Sequence, residues 1–330
     1  MFKYSIIAVA FVMVLCSATN RLLPLKKPKL DKIWSIKGFE TPESALYDAE
    51  NHMIYVSNIN GGDTNKHGGY ISRLDEEGQN LQLKWAVGLD GPKGMGLYNG
   101  ILYVADMTRI VLIDIKTGAI TGKIRVEGAV FLNDITISND GMVYISDMKR
   151  GCIYSLNALK YIPGSAVVDI FCKNKELSSP NGLLAINDKL MVLNMSNGKL
   201  FSLDIKSMQL SHVADSLPSG DGIIEYAPGK FMVSNWNGQI YSVEGSAAKT
   251  PSAVAATGKG KAGTYKGTKP VKAGSPDKNA KASKDGIPVL LLDTREEKIN
   301  TADIGYIPGK KLLLVPTFFG NTLDAYEIAE

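Results

Sequence analysis

Val143-Tyr144-Ile145-Ser146-Asp147 is a short apolar run that ends in an acidic residue, and related runs recur along the chain. The other copies are Ile54–Asn58, Leu102–Asp106, Leu190–Asn194, Phe231–Asn235 and the looser Leu312–Thr317. Each copy follows another apolar run across a turn, and each precedes a third run such as Gly151–Leu156. β-Branched and aromatic runs between turn residues predict strands rather than helices.

A fourth predicted strand closes most of these units, which repeat every forty to fifty residues or so. Six copies of a four-stranded unit predict an all-β fold, a six-bladed β-propeller over residues 30–330. The blades are expected to begin near Pro42, Pro92, Leu132, Pro180, Gly220 and Thr301. The last unit lacks an outer strand, and Asp31–Ile36 can supply it and so close the ring without exposed edges.

Residues 244–286 break the repeat, because they are rich in Ala, Lys and Gly and hold almost nothing apolar. We predict a disordered insertion in blade five, between its third strand and Val289–Leu292; a lysine-rich tether to an acidic surface is the alternative. This segment carries nine lysines against three acidic residues, whereas the net charge of the whole chain is +4. The remainder is therefore mildly acidic, so no basic face for nucleic acid is expected.

The N-terminus has the pattern of an export signal. Lys3 precedes the apolar run Ile6–Leu15, and Cys16-Ser17-Ala18 ends in small residues. We expect a signal peptide over residues 1–18 and an exported protein, periplasmic or secreted, that begins near Thr19. A membrane anchor is the alternative, although the run is shorter than the roughly 20 residues that a bilayer requires. A lipoprotein acylated on Cys16 is a third reading, which Leu15 fits poorly.

Cys152 and Cys172 are the two cysteines beyond the predicted signal. Both fall in predicted strands of one hairpin, so an exported protein could pair them in a disulfide. Two buried free thiols are the equal alternative. The chain has no Cys or His cluster with the spacing of a zinc site.

Alignment of the six first strands brings six residues into one position, which should form a ring around the central channel. They are Glu43, Lys93, Asn133, Asn181, Asp221 and Ala302. Two carboxylates and two amide carbonyls suit a hard divalent cation, calcium above all, with positions left for water or substrate. The alternative is that Asn and Asp only cap turns at strand starts.

The same residues carry a resemblance to a known family. Glu43–Asp48, Asn133-Asp134, Pro180-Asn181-Gly182 and Asp221-Gly222 resemble the metal motifs of the regucalcin and gluconolactonase family, which includes luciferin-regenerating enzyme. Diisopropyl fluorophosphatase and the paraoxonases are built similarly. The resemblance implies a six-bladed propeller with one divalent metal, often calcium, that hydrolyses lactones or phosphotriesters. It implies Glu43, Asn133, Asn181 and Asp221 as the ligands and Asp221 as the general base or nucleophile.

One departure bears on the substrate. Sugar lactonases of this family carry an arginine two residues before the Asn-Asp pair, where this chain has Phe131. A more apolar ester or lactone is therefore expected. Further candidates for the substrate rim are His67, Asp106, Asp147, Asn194 and Asn235. Alternatively, the last four only stabilise turns at the ends of the second strands, and His67 is a solvated loop residue.

The sequence thus predicts a metal-dependent hydrolase of a lactone or related ester, with the metal in the central channel. The alternative is a non-catalytic propeller that binds a ligand or protein and holds calcium for its structure. In either case we expect a monomer that binds a small molecule, with no nucleic-acid partner and no stable membrane span.

Overall fold

The structure is a computed structural model that describes residues 27–61, 67–162, 166–245 and 286–329. The predicted signal peptide, residues 1–18, lies outside these ranges, and so does most of the predicted insertion, residues 246–285. Within the described ranges, none of the helices has the length and apolarity needed to cross a membrane.

Six four-stranded antiparallel sheets make up the described part of the chain, which confirms the predicted six-bladed β-propeller. The outermost strand of the last blade is the first of the described strands, β1 (Lys29–Lys37). Blade one contains β2 (Pro42–Asp48), β3 (Met53–Asn58), β4 (Gly69–Asp75) and β5 (Gln82–Leu89). Blade two contains β6 (Pro92–Tyr98), β7 (Ile101–Asp106), β8 (Arg109–Asp114) and β9 (Ile120–Arg125). Blade three contains β10 (Leu132–Ile137), β11 (Met142–Asp147), β12 (Cys152–Asn157) and β13 (Asp169–Cys172).

The remaining blades follow the same order from the channel outward. Blade four contains β14 (Pro180–Ile186), β15 (Lys189–Asn194), β16 (Leu200–Asp204) and β17 (Leu210–Ala214). Blade five contains β18 (Gly220–Ala227), β19 (Lys230–Asn235), β20 (Gln239–Glu244) and β21 (Val289–Asp293). Blade six contains β22 (Gly305–Ile307), β23 (Leu312–Thr317) and β24 (Thr322–Ala329). Two short 3₁₀ turns, Ala158–Lys160 and Pro308–Lys310, complete the described elements.

Strand β1 closes the ring as the sequence predicts. It pairs with β24 from Lys29 opposite Ala329 to Lys37 opposite Thr322. Blade six is predicted to begin near Thr301, and the regular ladder of β22 starts at Gly305. Before that point the partner is Pro316, whose carbonyl accepts from the Ala302 amide but which has no N–H to return.

The core lies between neighbouring blades. In β7, Leu102 and Val104 pack toward blade one, whereas Tyr103 and Ala105 pack toward blade three. The second strands are therefore apolar on both faces, which explains the near-continuous apolar runs in the sequence.

The same alternation settles the state of the cysteines. Cys152 packs into the core between blades two and three, and Cys172 into the core between blades three and four. Cys172 pairs with Ile153, so its side chain points to the face opposite that of Cys152. Both are buried free thiols rather than a disulfide.

Candidate functional site

The six aligned residues form one ring at the top of the first strands. We call it the upper ring: Glu43, Lys93, Asn133, Asn181, Asp221 and Ala302. In each of the first five blades its member is the second residue of the first strand. The four predicted ligands are all buried, with exposures of 2–6%. Polar groups buried to this degree need a hydrogen-bond partner or a bound ion, so the upper ring is a candidate binding site.

Each of these five residues lies at an irregularity in the pairing between the first and second strands. Between the first and second strands of blades one to five, the register shifts at the ring position, as between Pro42 and Ser44 or Leu132 and Ile135. Such an irregularity frees backbone amides from the ladder and re-aims the side chains beside it.

Serine hydroxyls on the second strands satisfy three of the freed amides. Ser57 accepts from the Ser44 amide at 3.0 Å, and Ser146 accepts from the Asp134 amide at 2.9 Å. In blade five, Ser234 accepts from the Gly222 amide at 2.9 Å and donates to the Ala302 carbonyl at 2.7 Å. The serine of the repeated Ser-Asn/Asp ending is therefore part of the structure that shapes the ring.

Three of the four predicted ligands carry a buried oxygen with no hydrogen-bond partner among the described residues. These atoms are Glu43 Oε2, Asn181 Oδ1 and Asp221 Oδ2. Asn181 Nδ2 donates to Asp221 Oδ1 at 2.8 Å, which leaves the carbonyl side of the amide available. Asn133 Nδ2 lies 3.9 Å from the sulfur of Met148. Unsatisfied buried oxygens on two carboxylates and an amide are the donor set that fits a hard cation.

The fit of the upper ring to a cation depends on the side-chain amides of Asn133 and Asn181. In the part of the chain that the structure describes, no three His, Cys, Asp or Glu side chains converge closely enough to hold a metal ion. Two carboxylates, Glu43 and Asp221, are therefore joined by amides rather than by a third acidic or imidazole ligand. This composition favours calcium over zinc, which prefers His and Cys.

A second level, which holds two aspartates, lies one position further along the first strands. We call it the lower ring: Ser44, Gly94, Asp134, Gly182, Gly222 and Asp303. Asp134 accepts from the Leu183 amide of the next blade at 2.6 Å, and Asp303 accepts from the Ser44 hydroxyl at 2.6 Å. These carboxylates tie neighbouring blades together. Sequence reasoning did not single them out as a level, although the position after each upper-ring residue would have found them.

Glycine at the lower ring provides the room for these carboxylates. A Cβ on Gly94 would lie 2.3 Å from Asp134 Oδ1, and a Cβ on Gly222 would lie 2.4 Å from Asp303 Oδ1. Gly94 and Gly222 are thus required by close approach between first strands rather than by a turn.

Burial dominates the electrostatics of both rings. It raises the pKa of Glu43, with Asp221 adding to the effect and Lys93 opposing it. Burial and Asp303 likewise raise the pKa values of Asp134 and Asp221 well above the usual range. The pKa of Asp303 rises to about 7, chiefly through burial, with the Ser44 hydroxyl opposing. A cation would offset this cost, because it stabilises the charged form of each carboxylate.

Phe131 is buried beside two lysines, one of them the upper-ring residue Lys93. The Lys93 ammonium lies 4.6 Å from the centre of its ring, and the Lys149 ammonium lies 4.2 Å from it. Its role as a substrate contact stays a prediction. The structure shows that an arginine at this position would meet two existing cations.

The Asn and Asp residues that end the second strands shape the loops around the channel mouth. Asp106 accepts from the Asp90 and Gly91 amides, and Asp147 accepts from the Val130 and Phe131 amides. Asn194 and Asn235 accept from backbone amides in the same way. All four are fully buried, so they hold loop backbone in place rather than present a surface.

His67 lies on the same face but outside the ring. Its side chain is 69% exposed, and its Nδ1 lies 2.8 Å from Asp90. Asp90 also pairs with Arg109 at 2.9 Å. His67 is therefore part of a group of polar side chains on the surface at the junction of blades one and two.

The residues that follow the second strands make an apolar rim over the upper ring. They are Ile59, Met107, Met148, Met195, Trp236 and Phe318. Met107 lies against Lys93, with its sulfur 3.9 Å from the ammonium. Trp236 and Phe318 pack edge to face at 4.9 Å, and Phe319, 63% exposed, packs against both. Sequence reasoning missed this rim, although it follows each repeat directly.

Cavities open at both faces of the described propeller. A cleft of about 770 Å³ opens on the upper face, and its lining includes Met148, Met195 and Tyr241 together with several serines. A cavity of about 400 Å³ opens on the lower face and is lined by Ser44, Asp134 and Asp303. Neither of these two cavities is lined by the four predicted ligands.

Neither a protein-family model nor a curated protein matches this sequence. Solved structures match its fold. A luciferin-regenerating enzyme is 13% identical, with a TM-score of 0.55 over 92% of this chain and 96% of that one. The β-propeller domain of Cps50 (Swd1) from Myceliophteria thermophila is 11% identical, with a TM-score of 0.56 over 91% and 100%. A chain of a nidogen/laminin complex is 15% identical, with a TM-score of 0.51 over 62% and 75%. These likenesses support a propeller fold.

Proposed function

We propose that this protein is a metal-dependent hydrolase of a lactone or related ester. Glu43, Asn133, Asn181 and Asp221 would hold one divalent cation, calcium, in the upper ring. The observation that carries the proposal is the set of buried, unpartnered oxygens on Glu43, Asn181 and Asp221. Leaving such atoms unsatisfied costs stability, so a ligand that accepts their lone pairs is the natural explanation.

When bound, the cation would polarise the substrate carbonyl and stabilise the charge that develops on its oxygen. Asp221 would supply the nucleophile or the base, because it is the carboxylate that the Asn181 amide holds in place at 2.8 Å. Burial raises the pKa of Asp221, which favours a base, whereas a nearby cation lowers it and favours a nucleophile. The enclosed ring would exclude bulk water from either step.

The rim supports an apolar substrate. Met107 and Met148 contact Lys93 and Asn133 of the ring itself, and Trp236 and Phe318 continue the apolar surface around the mouth. Large apolar side chains around a polar centre are typical of small-molecule sites. We therefore expect esters or lactones of apolar acids to be turned over faster than aldonolactones.

A hydrolysis screen tests the proposal. The full chain would be assayed with apolar lactones, aryl esters, phosphotriesters and aldonolactones, in millimolar calcium and again with chelator. We expect turnover of an apolar ester or lactone that chelator abolishes and calcium restores. Turnover that chelator leaves unchanged would contradict the metal-dependent reaction.

The second candidate is a non-catalytic propeller that binds a small ligand or protein and holds calcium for its structure. The position of the histidines favours it, since His67 is exposed and the described His52 and His212 pair with Glu76 and Asp215 rather than with ring residues. The similar chain in the nidogen/laminin complex comes from a protein assembly. Calcium binding without turnover of any ester, lactone or phosphotriester would favour this function.

A further inference from the structure

The cleft on the upper face, which we call the upper cleft, lies over blades four and five. Its volume of about 770 Å³ falls within the range of about 300–1,000 Å³ that small-molecule sites occupy. Two of its lining residues, Ser179 and Ser219, each stand two positions before an upper-ring residue, Asn181 and Asp221. The upper cleft therefore opens next to the Asn181–Asp221 pair, whose side chains hydrogen-bond at 2.8 Å.

Short side chains at this repeat position leave room for the cleft. The six residues that stand two positions before the upper ring are Thr41, Gly91, Phe131, Ser179, Ser219 and Asn300. In blade three the position holds a large side chain, Phe131, which packs against Lys93 and Lys149. In blades four and five it holds serine, so the upper face stays open there.

Met148 connects the upper cleft to the ring. It lines the cleft, and its sulfur lies 3.9 Å from Asn133 Nδ2. Met195 of the next blade lines the cleft as well, and its amide donates to the Ser179 carbonyl at 3.0 Å. Methionine is a flexible and polarisable side chain that adapts to apolar ligands. A ligand in the cleft would therefore contact apolar groups on the side that faces the ring.

The rest of the lining is polar but nearly neutral. Its neutral hydrogen-bonding side chains are Ser179, Ser196, Asn197, Ser216, Ser219 and Gln239. No acidic side chain stands among the described residues that line the cleft, and the cation among them is Arg295. Asp293 offsets this charge, since it accepts from the Arg295 guanidinium at 2.8 and 2.6 Å. A neutral ligand fits such a lining, because a charged one would lose its hydration without an opposite charge in return.

We propose that the upper cleft is a subsite that binds a neutral substituent of the substrate, one that combines an apolar chain with hydroxyl or amide groups. This inference rests on the proposed function, because the subsite would hold the substituent while the ester or lactone group lies at the upper ring. Ser179 and Met148 would determine specificity. Ser179 leaves the space for the substituent, and Met148 forms the wall toward Asn133.

Calorimetric titration of the full chain with N-hexanoylglycinamide tests the subsite. This probe is neutral, carries two amides on an apolar chain and has no ester to hydrolyse. Chelator is present throughout, so that the proposed metal does not contribute. Ser179→Phe should weaken binding about tenfold or more, because the aromatic ring would fill the space as Phe131 does in blade three. Ser211→Phe, the same substitution on the exposed face of β17 in the same blade, should leave the affinity within about twofold.

Two further measurements support the titration. Met148→Ala removes an apolar contact and should weaken probe binding about threefold or more, which keeps the test valid if Ser179→Phe does not fold. N-hexanoylglycine, the charged counterpart of the probe, should bind more weakly than the amide. In hydrolysis assays with calcium, Ser179→Phe should raise KM for the para-nitrophenyl ester of acetamidohexanoic acid and leave KM for para-nitrophenyl acetate unchanged.

The outcomes separate the subsite from the hydrolase function. If the probe binds neither wild type nor variants, or binds all of them equally, the subsite is refuted whatever the hydrolysis screen shows. If calcium-dependent hydrolysis occurs but the two esters respond alike to Ser179→Phe, the subsite is refuted and the hydrolase function stands. If folded Ser179→Phe loses the probe while no ester or lactone is turned over, the cleft stands as a ligand site and the hydrolase function is refuted.

Discussion

Asp221 and Glu43 are both buried carboxylates of the upper ring, but their contacts differ. Asp221 accepts from the Asn181 amide through one oxygen and has a second oxygen without a partner. Glu43 has an unpartnered oxygen and is the residue whose pKa Lys93 lowers. At this scale, the proposed function gives Asp221 the chemical role and Glu43 the role of holding the cation.

Asp221→Asn and Glu43→Gln should therefore fail in different ways. The Asn variant keeps a coordinating carbonyl but cannot accept a proton or attack, so we expect kcat to fall about 10²–10⁴-fold with calcium binding only weakened. The Gln variant should raise the Kd for calcium about tenfold, and excess calcium should restore part of its activity. Calorimetry and ester hydrolysis on both variants check this. Full activity in Asp221→Asn would place the chemistry elsewhere.

Asp303 gives a pH dependence with a definite sign. Its pKa rises from 3.8 to about 7 on folding, so the native state binds more protons than the unfolded chain between these values. The stability that this group contributes is complete below pH 3.8 and is lost as the pH rises through about 7. Without calcium, the free energy of unfolding should therefore fall over this interval. Asp303→Asn should flatten this pH profile in denaturant titrations, because an amide does not titrate in this range. The asparagine carbonyl can still accept from Ser44, so the contact itself is kept.

The matched control for this titration is Asp169→Asn, since Asp169 lies exposed at the start of β13. It should leave the pH profile of the wild type in place. A profile that is equally steep in Asp303→Asn and wild type would show that another group causes the pH dependence.

At the scale of elements, the register shift in each first strand matters most. The sequence allowed the strands, their order and the upper ring to be predicted, because Asn or Asp recurs at fixed positions around apolar runs. The shift itself was not predictable, since Pro42-Glu43-Ser44 reads as an ordinary strand start. The lower ring was missed because the properties of Asp134 and Asp303 depend on their burial and on the space that glycines in neighbouring blades leave for their carboxylates. Burial of this kind depends on the closed ring, which local patterns do not encode.

Ser234 provides a test of how the shifts are stabilised. Its hydroxyl serves the Gly222 amide and the Ala302 carbonyl, so Ser234→Ala leaves two buried backbone groups without their partner. We expect a loss of about 1–3 kcal/mol in the free energy of unfolding. Ser211→Ala, on the exposed face of β17, should change it by less than about 0.5 kcal/mol. Equal effects in urea unfolding would contradict the role of the hydroxyl.

The junction between β20 and β21 gives a second prediction at this scale. Gly245 and Gly286, the described residues on either side of residues 246–285, both lie against Val213. Third strands run away from the upper face, so this junction lies at the opposite end of the channel. Replacing residues 246–285 by a short Gly/Ser linker should leave calcium affinity and turnover within about twofold. A large fall in melting temperature or turnover would contradict this.

At the scale of the whole molecule, the ring is closed at two radii. Near the channel, the Asp303 amide donates to the Glu43 carbonyl at 2.9 Å, and Ser44 bonds to the Asp303 side chain. At the outer edge, β1 pairs with β24 along its length. The inner closure passes through the Glu43 backbone, so we expect the proposed metal binding in the upper ring to be coupled to closure of the propeller. Calcium should therefore raise the melting temperature of the whole domain in one cooperative transition.

The outer closure also has a mechanical consequence. Lys29 and Ala329 lie directly opposite each other in the ladder. Opposed forces applied at these two residues therefore load the hydrogen bonds between β1 and β24 one after another, from one end. Forces applied at Lys29 and Thr322 would instead load the whole ladder in shear, because these residues lie at its two ends. A propeller held by its first and last strands should therefore open at low tension from one direction and resist strongly from the other.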